Sequence, residues 1–175
     1  MKTDITDLLS IENLTEERQV QTDLEVFQSK SGKFPIMKKE PFMIHLENQE
    51  NKQLLISGET DVTLKIPCDR CLKDVAVGIH LVIDRIYPLQ KAESEKDGNA
   101  EDADYMTGTV LDIDNLVCQE ILINRPVKVL CSESCKGICR KCGVNLNDEI
   151  CSCGRTEPDP RMAAIWDVFH QFKEV

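Results

Sequence analysis

The chain has 175 residues, 41% of them hydrophobic, and a formal net charge of −10. The length suits one domain, or one domain with a small appended module. It has no apolar run of the about 18 residues that a membrane span needs, and acidic residues break the opening MKTDITDLLSIENLTEE where an export signal would be apolar. Cytoplasmic residence is therefore expected. The negative charge opposes general nucleic-acid affinity, since phosphate contacts need Lys and Arg. Residues 1–25 and 91–104 carry nearly all of it, however, so the charge reports two acidic segments and no uniformly acidic surface.

In chain order, Ile5, Leu8, Leu9 and Ile11 form a short apolar cluster, a docked strand or one helical turn. Leu24, Val26 and Phe27 suggest a strand. Phe42, Ile44 and Leu46 alternate with Met43, His45 and Glu47, the period of a strand with one buried face. Residues 48–51 (NQEN) form a hairpin turn, after which Leu54 and Ile56 resume the alternation. Gly58 marks a bend or bulge. Val62, Leu64 and Ile66 alternate up to Pro67, and Val75, Val77, Ile79, Leu81 and Ile83 build a further strand ending near Pro88. Strands in direct succession predict an antiparallel meander that curls towards a barrel.

Residues 90–107 are acidic and poor in large aliphatics, and predict a solvated loop. VLDIDNLVCQEILINRP then reads as a short strand and a helix, with Asp114 as N-cap, Leu116, Val117, Glu120, Ile121 and Leu122 at helical spacing, and Pro126 as the stop. Cys118 within it reads as a buried thiol. DPRMAAIWDVFHQF predicts a second helix, with Asp159 as N-cap, Pro160 in the first turn, and an apolar stripe of Met162, Ile165, Trp166, Phe169 and Phe172. The fold class is α+β. Its expected division is a β-rich domain over residues 1–128, containing the loop 90–107 and one helix, and a cysteine-rich segment with the C-terminal helix over 129–175.

Nine cysteines in a chain with no export signal argue for metal ligands and against a disulfide framework. Cys139-Arg-Lys-Cys142-Gly precedes Cys151-Ser-Cys153-Gly by eight residues. In such turns two sulfurs converge on one metal, with Gly143 and Gly154 adopting conformations that a side chain hinders. Four thiolates satisfy tetrahedral zinc and leave no position for water, so the predicted cofactor is a structural zinc ion. Cys68-Asp-Arg-Cys71 and Cys131-Ser-Glu-Ser-Cys135 are two further half-sites, and joined they would make a second site tying the β-region to the C-terminal segment. Two rivals stand beside this: Cys131, Cys135, Cys139 and Cys142 around one metal, and Cys68 with Cys71 as a redox pair. Neither a phosphate-binding glycine loop nor an HExxH or GxSxG motif occurs, and His45, His80 and His170 are scattered, so no enzyme is expected.

Residues 129–168, VLCSESCKGICRKCGVNLNDEICSCGRTEPDPRMAAIWDV, together with PCDRCL at 67–72, resemble the signature of the YceD family, the large ribosomal RNA subunit accumulation proteins. The matched positions are Cys68, Cys71, Cys131, Cys135, Cys139, Cys142, Cys151, Cys153, Asp159, Pro160 and Arg161. The resemblance implies a non-enzymatic role in accumulation, processing or assembly of large-subunit ribosomal RNA, with that RNA or a pre-ribosomal particle as partner. Some members lack the distal cysteine cluster, which implies that the distal zinc is accessory to stability. Lys136, Arg140, Lys141, Arg155 and Arg161 lie in or beside the cysteine segment and are the candidate phosphate contacts. The alternatives are an adaptor whose sheet edge or acidic loop docks a basic ribosomal protein or another assembly factor without direct RNA contact, and, ranked last, a thiol redox or metal-handling protein.

Overall fold

The computed structural model describes residues 1–89 and 105–153. The chain opens with strand β1 (Lys2–Asp4) and a single helical turn, α1 (Thr6–Ser10), so the first apolar cluster makes both a strand edge and a turn. Strands β2 (Thr15–Val20), β3 (Val26–Ser29), β4 (Gly32–Lys39), β5 (Phe42–Gln49), β6 (Gln53–Pro67) and β7 (Asp74–Pro88) follow in direct succession. All their pairings are antiparallel, in the order β2-β5-β6-β4-β3 with β7 added on β6. Strands β8 (Met106–Thr107) and β9 (Val110–Asp112) join β1 in a second, three-stranded sheet, and β9 leads into helix α2 (Ile113–Asn124).

The meander does not close into the expected barrel; both sheets are open among the described residues. The reason lies in β6. Along one edge it pairs with β7 over its whole length, while the other edge is shared, with β5 along Gln53–Gly58 and β4 along Val62–Leu64. The sheet therefore splits into two limbs instead of curling round to meet itself.

Gly58 sits at that split. The bulge expected there lies in the neighbouring strand instead, where register shifts between Ile36 and Lys38. Through Gly58 the alternation of β6 is unbroken, with Leu54, Ile56, Thr60, Val62, Leu64 and Ile66 all buried. The glycine serves close approach: a Cβ there would lie 2.8 Å from the Met43 carbonyl oxygen. The turn expected at residues 48–51 is present, with Glu50 and Asn51 at φ 51° and 54° and Lys52 N–H donating to Gln49 O at 2.9 Å. Asn48 is fully buried, its amide donating to the carbonyls of Leu8 (3.0 Å) and Ile11 (2.9 Å). Those bonds tie α1 to the hairpin and satisfy carbonyls that burial would otherwise orphan.

Helix α2 forms where predicted, but its N-cap is Asp112, whose carboxylate accepts from Asp114 N at 3.1 Å and Asn115 N at 3.2 Å. Asp114 turns away to accept from the Thr22 hydroxyl and the Asp23 N–H, both at 2.8 Å. Ile113, Leu116, Val117 and Ile121 pack into one core with the inner faces of the strands, while Leu122 points outward. Glu120 is buried with them and meets Arg85 of β7, Nη2 to Oε1 at 2.6 Å. Cys118 is half-buried, and burial raises its thiol pKa. Of the expected loop at 90–107, residues 90–104 lie outside the described residues. The rest is no loop: Tyr105 and Met106 are buried, Tyr105 against the edge of Tyr87, and Met106 begins β8. The predicted C-terminal helix, with Asp159, Pro160 and His170, also lies outside them.

Candidate metal centre

Strands β6 and β7 pair from Gln53↔Pro88 to Pro67↔Asp74, which leaves residues 68–73 as the tip of a long hairpin. There Cys68 N–H donates to Lys73 O at 2.8 Å, and Leu72 N–H donates back to Cys68 O at 2.9 Å. Leu72 takes φ 62°, which turns the chain so that both sulfurs face one way. After α2 the chain returns to this tip. Asp69 N–H donates to Val129 O at 2.9 Å and the Asp69 carboxylate accepts from Val129 N at 2.6 Å. The two bonds deliver Cys131 and Cys135 to the hairpin. Sulfur separations are 3.9 Å for Cys68–Cys135 and 3.5 Å for Cys71–Cys131. Cys68, Cys71 and Cys135 are buried and Cys131 is exposed.

The distal set repeats that turn bond for bond. Cys139 N–H donates to Val144 O at 2.8 Å, Gly143 N–H to Cys139 O at 2.9 Å, and Gly143 takes φ 75°. The N–H two residues after the first cysteine points at its sulfur in both turns, Arg70 to Cys68 at 3.5 Å and Lys141 to Cys139 at 3.4 Å. Cys151 closes the set, 3.3 Å from Cys139 and 3.4 Å from Cys142. Cys153 is the fourth sulfur, all four within 4.8 Å of one another.

The structure thus brings Cys68, Cys71, Cys131 and Cys135 together as one group and Cys139, Cys142, Cys151 and Cys153 as another. This separates Cys131 and Cys135 from Cys139 and Cys142, against the rival grouping, and it puts Cys68 and Cys71 in a four-sulfur cluster, not an isolated pair. The groups share a seam. Ile138 N–H and the Arg70 carbonyl meet at 3.2 Å, and the Arg70 guanidinium donates to the carbonyls of Glu133 and Cys135. Gly137 lies against that carbonyl at φ 80°, where a Cβ would come within 3.1 Å of it. Asn147, in the distal loop, donates to Cys135 Sγ at 3.3 Å and accepts from Lys136 N at 2.8 Å.

The sulfurs divide in their proton affinity. Burial raises Cys68, but N–H groups of Cys71, Arg70 and Cys131 outweigh it and bring its pKa down to about 6. Cys139 also falls to about 6, held by the N–H groups of Cys142 and Lys141. Cys131, hydrogen-bonded to Cys71, is pushed up to about 12, as is Cys151 beside Cys139. Each cluster therefore holds sulfurs that ionise readily beside sulfurs that keep protons, because four adjacent thiolates repel one another. A divalent cation at the centre removes that repulsion and replaces the retained protons. The spacing fits such an ion: tetrahedral Zn–S bonds of about 2.3 Å put sulfurs about 3.8 Å apart, against 3.3 to 3.9 Å here. With four thiolates each, both groups can hold a metal ion as closed scaffolding sites.

Of the predicted phosphate contacts, Lys136, Arg140 and Lys141 are exposed on the distal turn, while Arg155 and Arg161 lie outside the described residues. His45 and His80 face outward on the sheet, 3.1 Å from Glu17 and 3.0 Å from Asp61. Asp69, Arg70 and Asn147 hold the two clusters in place and were not singled out by sequence. Nothing in their spacing marks them, since their partners lie 11 to 65 residues away.

Comparison with known proteins adds one family and one relative. The family described as Large ribosomal RNA subunit accumulation protein YceD matches residues 56–169, which span both cysteine groups. The Large ribosomal RNA subunit accumulation protein YCED homolog 1, chloroplastic, of Arabidopsis thaliana is 31% identical over 64 residues, 37% of this chain and 20% of that protein. The similarity thus spans about a fifth of the relative's length. No solved structure matches. Among the described residues no helix is long and apolar enough to cross a membrane.

Proposed function

The chain belongs to the YceD family of large ribosomal RNA subunit accumulation proteins, and from that premise we propose that it is a non-enzymatic assembly factor acting in the cytoplasm on large-subunit ribosomal RNA or its precursor particle. Both cysteine groups hold zinc, and the zinc is structural. The proximal ion staples the β6–β7 hairpin to the segment after α2, and the distal ion orders the turn that carries Lys136, Arg140 and Lys141. These side chains contact phosphates, a role that Arg155 and Arg161 share. The observation that carries this reading is the family match across residues 56–169, which covers the hairpin tip, both clusters and the basic turn. Crosslinking followed by RNA sequencing tests it. Large-subunit ribosomal RNA is expected to be enriched, with crosslinks mapping to residues 136–141; recovery of ribosomal RNA no better than in an uncrosslinked control would overturn it.

A second reading has its own support. The outer face of β5, β6 and β7 carries Glu59, Asp61 and Asp84, which with Glu40 line a cleft of about 700 Å³. Such a face suits a basic ribosomal-protein segment better than RNA. Ribosomal protein recovered by the purified chain after complete nuclease digestion, and lost on reversing Glu59 and Asp61, would favour this adaptor role.

A further inference from the structure

A hollow of about 550 Å³ opens on the distal cysteine group itself, with Cys139, Cys151 and Cys153 in its wall, inside the range of about 300–1,000 Å³ typical of small-ligand clefts. Lys136, Arg140 and Lys141 line it together with Ile138, Leu146 and Ile150. Ile150 is fully exposed at 102% and Ile138 is 38% exposed, so an apolar surface is open to solvent here. Among the described residues no ion pair engages any of the three cations. Among the described residues Glu149 is the one carboxylate on the wall.

We infer that this hollow is a docking site for an unpaired nucleotide of single-stranded RNA. The inference rests on the ribosomal-RNA reading above and adds to it the strandedness and the contact mode. Three free cations around an apolar recess match a polyanion that also offers a flat apolar group, which is the chemistry of a nucleotide with its base turned out. A bare phosphate would leave Ile138 and Ile150 in water, and an apolar peptide would leave the cations unused. Duplex RNA keeps its bases stacked and shows a regular backbone, so it reaches the rim and not the recess. Glu149 accepts from an N–H on a base edge, which a phosphate cannot supply. The segment that carries Arg140, Lys141 and Ile150 is closed by Cys139, Cys142 and Cys151, so the recess keeps its shape only while those sulfurs stay together.

The test is fluorescence anisotropy of the metal-loaded full chain with a labelled 12-nucleotide single-stranded oligoribonucleotide of mixed sequence, and with the same strand annealed to its complement. The single strand is expected to bind at least about tenfold more tightly. Ile150→Ala should weaken single-strand binding about three- to tenfold without changing its salt dependence, because it removes an apolar contact and no charge. Arg140→Glu with Lys141→Glu should weaken binding further and flatten the salt dependence. Metal content equal to that of the parent chain shows that each variant keeps its turn. Salt-dependent binding that is indifferent to Ile150 and equal for single strand and duplex would remove the recess while leaving the RNA role standing. Failure to bind either RNA would remove both.

Discussion

The side-chain amide of Asn147 donates to Cys135 Sγ at 3.3 Å, so the loop that closes the distal cysteine group also completes the proximal one. The same side chain accepts from Lys136 N, which fixes which end of its amide points at the sulfur. N–H groups aimed at a sulfur stabilise its thiolate; burial pushes the Cys135 thiol up, but the Asn147 bond, with the Gly137 N–H and the neighbouring cysteines, brings it below its usual range.

Asn147→Ala is therefore expected to weaken metal binding at the proximal group, where Asn147 makes its sulfur contact. Losses of outer partners at metal sites run to about 10–100-fold in affinity. Competition with a coloured chelator reads this directly, and an unchanged titration would show that the contact does nothing for the metal.

The two groups should release their metals in two steps. Three of the four proximal cysteines are buried, whereas Cys142 is exposed and the other distal cysteines are half-exposed. Elemental analysis is expected to give two zinc ions per chain, with a chelator removing the first much faster. Cys142→Ser should leave one ion per chain and the sheet intact by circular dichroism. Cys68→Ser should also lower the melting temperature markedly, since the proximal group alone joins segments about 60 residues apart. Both ions should be lost on acidification, because protons compete for the same sulfurs. A single release step with equal effects of the two substitutions would contradict this asymmetry.

Glu120→Ala should destabilise the fold by about 2–3 kcal/mol. Glu120 is buried and its partner Arg85 is 30% exposed, so the loss falls below the about 3–5 kcal/mol of a fully buried pair. Replacing both Glu120 and Arg85 with apolar residues should recover part of it. Urea denaturation measures both, and additive losses in the double variant would show that the pair is not coupled.

Gly58→Ala should cost roughly 1–3 kcal/mol, the range for overpacking a fitted site. The new methyl meets the backbone oxygen of Met43, which has no rotamer to escape into. Gly78→Ala, where the added carbon meets nothing within 4 Å, is the control and should be near neutral. Equal melting temperatures for the two variants would show that β5 and β6 separate freely at this point.

Much of the fold and of the candidate site is legible without coordinates. Leu54, Ile56, Val62, Leu64 and Ile66 alternate at the period of a strand, and the buried residues fall where that alternation puts them. Backbone geometry forces that link between position and face within one strand, so a few neighbouring residues suffice. The C-x-x-C turns are equally local, because spacing alone brings each pair of sulfurs to one side. The N-cap falls two residues before the one the sequence predicts because Asp112 and Asp114 offer the same acceptor; the link to Thr22, some 90 residues away in sequence, occupies Asp114 and leaves Asp112 to cap.

The sequence by itself determined the family, the antiparallel character of the sheet and the eight sulfurs available for metal. Only the tertiary structure decided which half-sites meet, that the sheet stays open, and that Asn147 belongs to a cluster other than the one its loop encloses. The physical reason is range. Periodicity and turn geometry act over a few bonds, whereas the joining of Cys68 and Cys71 to Cys131 and Cys135 depends on Asp69 meeting Val129, a contact that forms only when β6, β7 and α2 have packed on one core.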